Sequence, residues 1–154
     1  ADLSVPLEEL PRFLHHATKA DVVIGSRELP GAQRIGEPVF RHVMGRVFNR
    51  LVRWITGLPY RDTQCGFKLF RREAARDIFG RVTVDGFGFD AECLFLARRL
   101  GYRISEVPVR WINDPQSKVN AIVDSSKMAI DLVRLRIRHR RVGRGRTSTD
   151  GEPT

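Results

Sequence analysis

Apolar and polar positions alternate along this chain with two different periods, and the changes of period mark its elements. Residues 6 to 19, PLEELPRFLHHATK, open on a proline and two acids, as helix N-termini do, with Leu7, Leu10 and Leu14 sharing one apolar face. Pro11 has no N–H to give, so this helix is expected to kink or to start late. DVVIGSR, 21 to 27, is a short continuous apolar run ending near a glycine, the pattern of a buried strand. Residues 28 to 36, with Pro30, Gly31 and Gly36, read as a loop. The strongest helical signal covers 37 to 56, where Phe40, Val43, Met44, Val47, Phe48, Leu51 and Ile55 recur at threes and fours. Arg46, Arg50 and Arg53 lie on another face, Gly57 stops the helix, and Pro59 prevents its return.

Beyond it the pattern predicts a turn at 60 to 66, a strand near 67 to 70 and a short helix near 72 to 79. DGFGFDAECLFLARRLGY, 85 to 102, reads as a glycine-containing loop followed by a helix with Ala91, Leu94, Phe95 and Ala97 toward the core. RISEVPVRW, 103 to 111, alternates as a half-buried strand, and Pro108 makes it an edge strand or marks a bend. An amphipathic helix is expected over 118 to 138, and a disordered polar tail from 142 to 154. The order of elements is α/β. Three convincing strands are few for such a domain, so an incomplete sheet is expected.

Composition narrows the class. The chain has 154 residues, 42% apolar and 29% charged, which fits one globular domain, here placed at 1 to 141. Lys and Arg outnumber Asp and Glu by 27 to 18, a net charge of +9 that favours an anionic partner: nucleic acid, acidic lipid or a phosphorylated substrate. Cys65 and Cys93 form no CxxC pair, which argues against a structural zinc site and a disulfide framework and points to a reducing compartment. No apolar run approaches the roughly 20 residues of a membrane span. The sequence opens on Ala1 rather than Met, so a piece of a longer protein is expected.

Four polar clusters stand at element ends, where α/β proteins place their sites. ADLS puts Asp2 before a helix, where a cap is the simplest reading. GSRE puts Arg27 after a strand, where it can hold a phosphate through charge-assisted bonds or simply face solvent. In RDTQCGFK, 61 to 68, Asp62 can serve as base, metal ligand or turn former, Gln64 offers a donor and an acceptor, and Gly66 permits close approach. Turn formation accounts for Asp62, Thr63 and Gly66 but leaves Gln64 and Cys65 unexplained. In GFGFDAE, 86 to 92, Asp90 lies beside Phe87 and Phe89, where a carboxylate could act as a general base, while an acidic helix start is the better local reading.

Taken in order, ADLS, DVVIGSR, DTQCGFKLF, GFDAE and LGYRISEVPVRW resemble the family 2 inverting glycosyltransferases that use a polyprenyl phosphate acceptor, of the dolichyl-phosphate glucosyltransferase and mannosyltransferase type. The resemblance covers residues 1 to about 138. It implies the C-terminal, acceptor-side half of a GT-A-like domain, beginning inside the family's Asp-x-Asp motif, inactive without the nucleotide-binding half. Asp2 would be the second acid of that motif, ligating Mg2+ or Mn2+ at the sugar-nucleotide diphosphate, with Ser4 at its next polar position. Arg27 and Arg41 would grip the lipid phosphate, Asp62 with Gln64 and Gly66 would line the sugar and acceptor pocket, and Asp90 would lie near the reacting centre. Gln116-Ser117-Lys118 resembles the family's Gly-x-Ser-Lys region and would put Lys118 near phosphate, although the glycine is missing here. Mannose-using relatives often carry an arginine just upstream, where this chain has Ile112 or Asn113, which favours UDP-glucose over GDP-mannose as donor. The four histidines fall in no ligand spacing.

The alternative is a basic binding module without catalysis. RLRIRHRRVGRGR, 134 to 146, suggests nucleic acid, but aromatic residues do not alternate with the basic ones as base stacking requires, so no nucleic acid is expected. Ile130, Leu132, Val133, Leu135 and Ile137 instead interleave with Arg134, Arg136 and Arg138, which suits a helix lying on an anionic membrane surface. The expected location is cytoplasmic, peripheral to that membrane face.

Overall fold

A computed structural model describes residues 4–84, 86, 88–113, 121–139 and 142. A 3-10 turn, Leu7–Glu9, leads into α1 (Leu10–His16), followed by β1 (Val22–Ser26), β2 (Gln33–Ile35), α2 (Val39–Thr56), β3 (Lys68–Phe70), α3 (Arg72–Phe79), α4 (Gly88–Arg99), β4 (Ile104–Pro108), β5 (Arg110–Ile112) and α5 (Ala121–Arg138). The α/β class holds. Pro11 acts at the helix start, since α1 begins at Leu10 with the proline in its first turn, where a missing N–H costs nothing.

β1 is the centre of a three-stranded sheet, antiparallel to β3 and parallel to β4. All five of its residues are buried, as its continuous apolar run predicts. Its side chains alternate between two cores. Val22 and Ile24 pack with Ala74 and Ile78 of α3 and with Cys93, Leu94, Leu96 and Ala97 of α4. Val23 packs on the opposite face with Phe13 of α1, Cys65, Val107 and Val109. A third cluster joins Val52 and Ile55 of α2 to Ala91 of α4 and Leu132 of α5. Gly25 is where the sheet and the 60–66 turn come closest: a Cβ there would sit 2.9 Å from Cys65 Sγ and 3.2 Å from the Phe67 carbonyl oxygen.

Several expectations need correction. The 28–36 segment contains β2, a strand of three residues paired in parallel with β5. The expected strand over 103–111 is two strands in two sheets. β4 ends at Pro108, the Val109 amide donates to the Ser26 carbonyl at 3.1 Å, and β5 then leaves to pair with β2. Proline supplies no N–H there, so the ladder breaks and the chain turns. Leu7, Leu10 and Leu14 are exposed, and Phe13 is the side chain of α1 that enters the core.

α2 departs most from the pattern. Asn49, Val52, Ile55 and Thr56 form its buried side, while Val39, Phe40, Val43 and Val47 remain exposed, Phe40 at 69%. The C-terminal half of the helix packs on the body and its N-terminal half carries an uncovered apolar stripe. α5 divides similarly. Leu132 and Leu135 are buried, Ile130, Val133 and Ile137 are exposed, and Arg136 donates to the Ile55 carbonyl at 2.5 Å. The interleaved apolar row expected along this helix is therefore split between a packed face and an open one. No helix among the described residues is long and apolar enough to cross a membrane.

Candidate functional site at the strand ends

The C-terminal end of β1 delivers Ser26 and Arg27 to the 60–66 turn. Arg27 Nε and Nη2 donate to the two oxygens of Asp62 at 2.7 and 3.0 Å, and the Arg27 amide adds a third bond at 3.0 Å. Asp62 is almost fully buried, and the Gln64 amide also donates to it, at 3.1 Å. Burial works against both charges, but each outweighs that for the other: the Asp62 carboxyl is held below its ordinary value and the Arg27 guanidinium is raised above its own. The indole of Trp111 lies under the guanidinium, 5.5 Å from ring centre to Cζ.

The turn is fixed from two other sides. Glu106 of β4 accepts the amides of Arg61 and Asp62 at 3.1 and 2.8 Å. Asn49 of α2 accepts the Thr63 amide and hydroxyl at 3.1 and 2.7 Å and donates to the Arg61 carbonyl. An irregular backbone segment is thereby satisfied without a ladder. The Gln64 side-chain nitrogen is buried and has no hydrogen-bond partner among the described residues. Cys65 is buried, and burial first, then the Asp62 charge, pushes its thiol up, so it serves as packing rather than as a nucleophile. Gly66 is exposed, and a Cβ on it would meet nothing within 4 Å; the close approach falls at Gly25 instead.

Asp90 sits in the first turn of α4, and its carboxylate accepts from Lys68 Nζ at 2.7 Å. Lys68 also donates to the Cys65 carbonyl, so Asp90 and the turn share one ammonium. On the opposite side of α4, Glu92 is fully buried and accepts from Thr83 and Val84 and pairs with His139 Nε2 at 2.6 Å. His139 is therefore buried beside the Glu92 carboxyl.

Arg41, in the first turns of α2, donates to Asn113 Oδ1 at 3.0 Å, and Asn113 in turn donates to the Gly36 carbonyl. Arg34 ties this region to the first: its Nε donates to the Arg27 carbonyl at 3.2 Å, and its two other nitrogens reach Glu37 and Glu28. The structure thus joins Arg27, Asp62 and Gln64 directly, brings Asp90 to the same turn through Lys68, and sets Arg41 at the edge of the second sheet. Asp2 and Lys118 lie outside the described residues. Among the described residues no group of three or more His, Cys, Asp or Glu side chains is placed to hold a metal ion.

Sequence reasoning passed over Lys68, Glu106, Asn49, Arg34 and Trp111 as parts of this arrangement. Asn49 carried a legible signal, a polar residue three and seven positions before Val52 and Thr56 on one helix face. Glu106 and Trp111 lie on strands whose alternation was clear but whose partners were not.

No family model matches the chain. Among curated proteins it is 39% identical over 134 residues to a dolichyl-phosphate beta-glucosyltransferase of Trichomonas vaginalis, covering 85% of this chain and 39% of that protein. It is 41% identical over 123 residues to a dolichyl-phosphate beta-glucosyltransferase of Saccharomyces cerevisiae, covering 78% and 36%. It is also 34% identical over 113 residues to an undecaprenyl-phosphate mannosyltransferase of Micrococcus luteus, covering 73% and 46%. The chain spans less than half the length of these relatives. Over most of its own length it nonetheless shares their sequence, and it is similar to these polyprenyl-phosphate glycosyltransferases.

Proposed function

We propose that this chain forms the acceptor-side half of a GT-A-like enzyme. That enzyme transfers a hexose, glucose in preference to mannose, from a sugar nucleotide to a polyprenyl phosphate with inversion at the anomeric carbon. The observation that carries the reading is the arrangement around the 60–66 turn: a buried Arg27–Asp62 pair, an amide nitrogen of Gln64 without a partner among the described residues, and the Lys68–Asp90 pair beside the turn, in a chain similar to polyprenyl-phosphate glycosyltransferases.

A phosphate monoester is already anionic, so its attack on the anomeric carbon asks little of a general base. Charge compensation and in-line placement dominate, and prearranged donors on a rigid loop serve both. Asp62 holds the Arg27 guanidinium in one orientation through Nε and Nη2, which leaves Nη1 for an incoming phosphate oxygen. The Gln64 side-chain nitrogen, without a partner among the described residues, gains one when a sugar hydroxyl or phosphate oxygen arrives. Asp90 supplies an acceptor for a sugar hydroxyl, and Arg41 and Lys118 add positive charge for the phosphate. Asp2 would ligate Mg2+ or Mn2+, whose chemistry is to offset the donor diphosphate charge.

The lipid tail stays in its bilayer, so the protein must come to the membrane. The exposed stripe Val39, Phe40, Val43 and Val47 begins beside Arg41, and basic residues Arg46 and Arg50 lie along the same helix. This supports peripheral attachment to an anionic, cytoplasmic membrane face.

The test is transfer by the full-length protein. Labelled UDP-glucose or GDP-mannose is supplied with polyprenyl phosphate in detergent, and the organic phase is counted. Label in the lipid from UDP-glucose in excess of GDP-mannose is the expected result. Absence of lipid-linked sugar from both donors would defeat the proposal.

A further inference from the structure

The Lys68 side chain is only 5% exposed, an unusual place for an ammonium. Its stem starts at the first residue of β3, opposite Ile24 of β1, and its nitrogen is shared between the Cys65 carbonyl and Asp90 Oδ1. Those acceptors belong to two separate parts of the chain, the 60–66 turn and the first turn of α4. Thr83, Val84 and His139 hold Glu92 on the far side of the same helix, so the start of α4 is pinned on both faces. A buried lysine is retained only where its charge is matched, and here the match is Asp90, a carboxylate proposed to lie near the reacting centre.

We propose that Lys68 is a positioning residue of the transfer reaction. It fixes the Asp90 carboxylate against the turn and cancels its charge. Asp90 can then accept a hydrogen bond from the sugar without repelling the acceptor phosphate or the donor diphosphate. The inference rests on the transferase reading above.

The experiment uses the full-length protein with Lys68→Met, Lys68→Arg and Asp90→Asn, and the Lys68→Met/Asp90→Asn double variant, measuring kcat and KM for both substrates. Lys68→Met lowers kcat by about tenfold or more with donor KM little changed, and Lys68→Arg restores most of it. In the Asp90→Asn background, Lys68→Met costs nothing further, because the two act as a unit. Independent, additive losses in the double variant overturn the proposal, as does full activity of Lys68→Met. Should Lys68→Met fail to fold, Lys68→Arg and Lys68→Gln carry the same comparison. A wild-type protein that transfers no sugar defeats the functional reading. Positioning is then read from amide hydrogen exchange at Asp90 to Cys93, which must quicken in Lys68→Gln; unchanged exchange overturns it.

Discussion

Arg27 and Asp62 face each other through two parallel hydrogen bonds of 2.7 and 3.0 Å, with the Arg27 amide adding a third. A residue expected to bind phosphate is thus also the counter-charge of a buried carboxylate. Removing either partner strands the other. Arg27→Ala is expected to cost about 3–5 kcal/mol of stability, as breaking a buried pair does, whereas an apolar replacement of both partners recovers much of that. Denaturant midpoints of Arg27→Ala and of Arg27→Met/Asp62→Leu measure this. The double variant regains stability but no transfer activity.

Acid should unfold the protein by a predictable route. Burial would raise the carboxyls of Asp62 and Glu92, yet Arg27 outweighs it for the first, and hydrogen bonds from His139, Thr83 and Val84 outweigh it for the second. Both folded values lie below the ordinary 3.8 and 4.5. Their contribution to stability is therefore complete above about pH 4.5 and is lost as pH falls through the folded values. Denaturation midpoints should fall as pH drops below about 4.5, with a shallower fall in Glu92→Gln.

Asn49 anchors the turn from the helix side by three hydrogen bonds. Asn49→Ala leaves the buried Thr63 amide and hydroxyl without their acceptor, a loss of about 2 kcal/mol. Acceptor KM should rise more than donor KM, because the loosened loop is the one proposed to meet the lipid phosphate. Thermal melting and steady-state kinetics on the same preparation separate the two effects.

Attachment to membranes should depend on the exposed stripe of α2 as well as on charge. Phe40→Glu with Val43→Glu is expected to abolish pelleting with anionic liposomes while leaving the melting temperature unchanged, since both side chains are exposed. Changing Arg134, Arg136 and Arg138 together to Glu removes roughly 1 kcal/mol per charge, and raising salt to about 1 M shortens the screening length to about 3 Å. Arg136 also bonds the Ile55 carbonyl, so this triple variant should melt lower as well.

Metal dependence is checked by chelation. EDTA should stop transfer by the full-length protein, and added Mg2+ or Mn2+ should restore it. Asp2→Ala should remain inactive at every metal concentration, and near-normal turnover of that variant would exclude Asp2 as a ligand.

The sequence by itself determined the local choices. Continuous apolar residues made β1 a buried central strand, Gly57 in the left-handed conformation ended α2, and Ala91, Leu94, Phe95 and Ala97 faced the core as their spacing required. Each depends on neighbours within a turn or two, and the same is true of the motifs that carry the family resemblance. Only the tertiary structure decided which apolar faces are covered: α2 has one apolar pattern along its length, but the body beneath it reaches only the half that carries Asn49, Val52 and Ile55. Likewise β2 is too short and too polar to announce itself, and it exists because β5, some 77 residues later, swings out past Pro108 to pair with it. The pairing of Arg27 with Asp62, and of Lys68 with Asp90, had no local signal either. Charge complementarity between residues 35 and 22 positions apart becomes specific only when strands and turns set the distance.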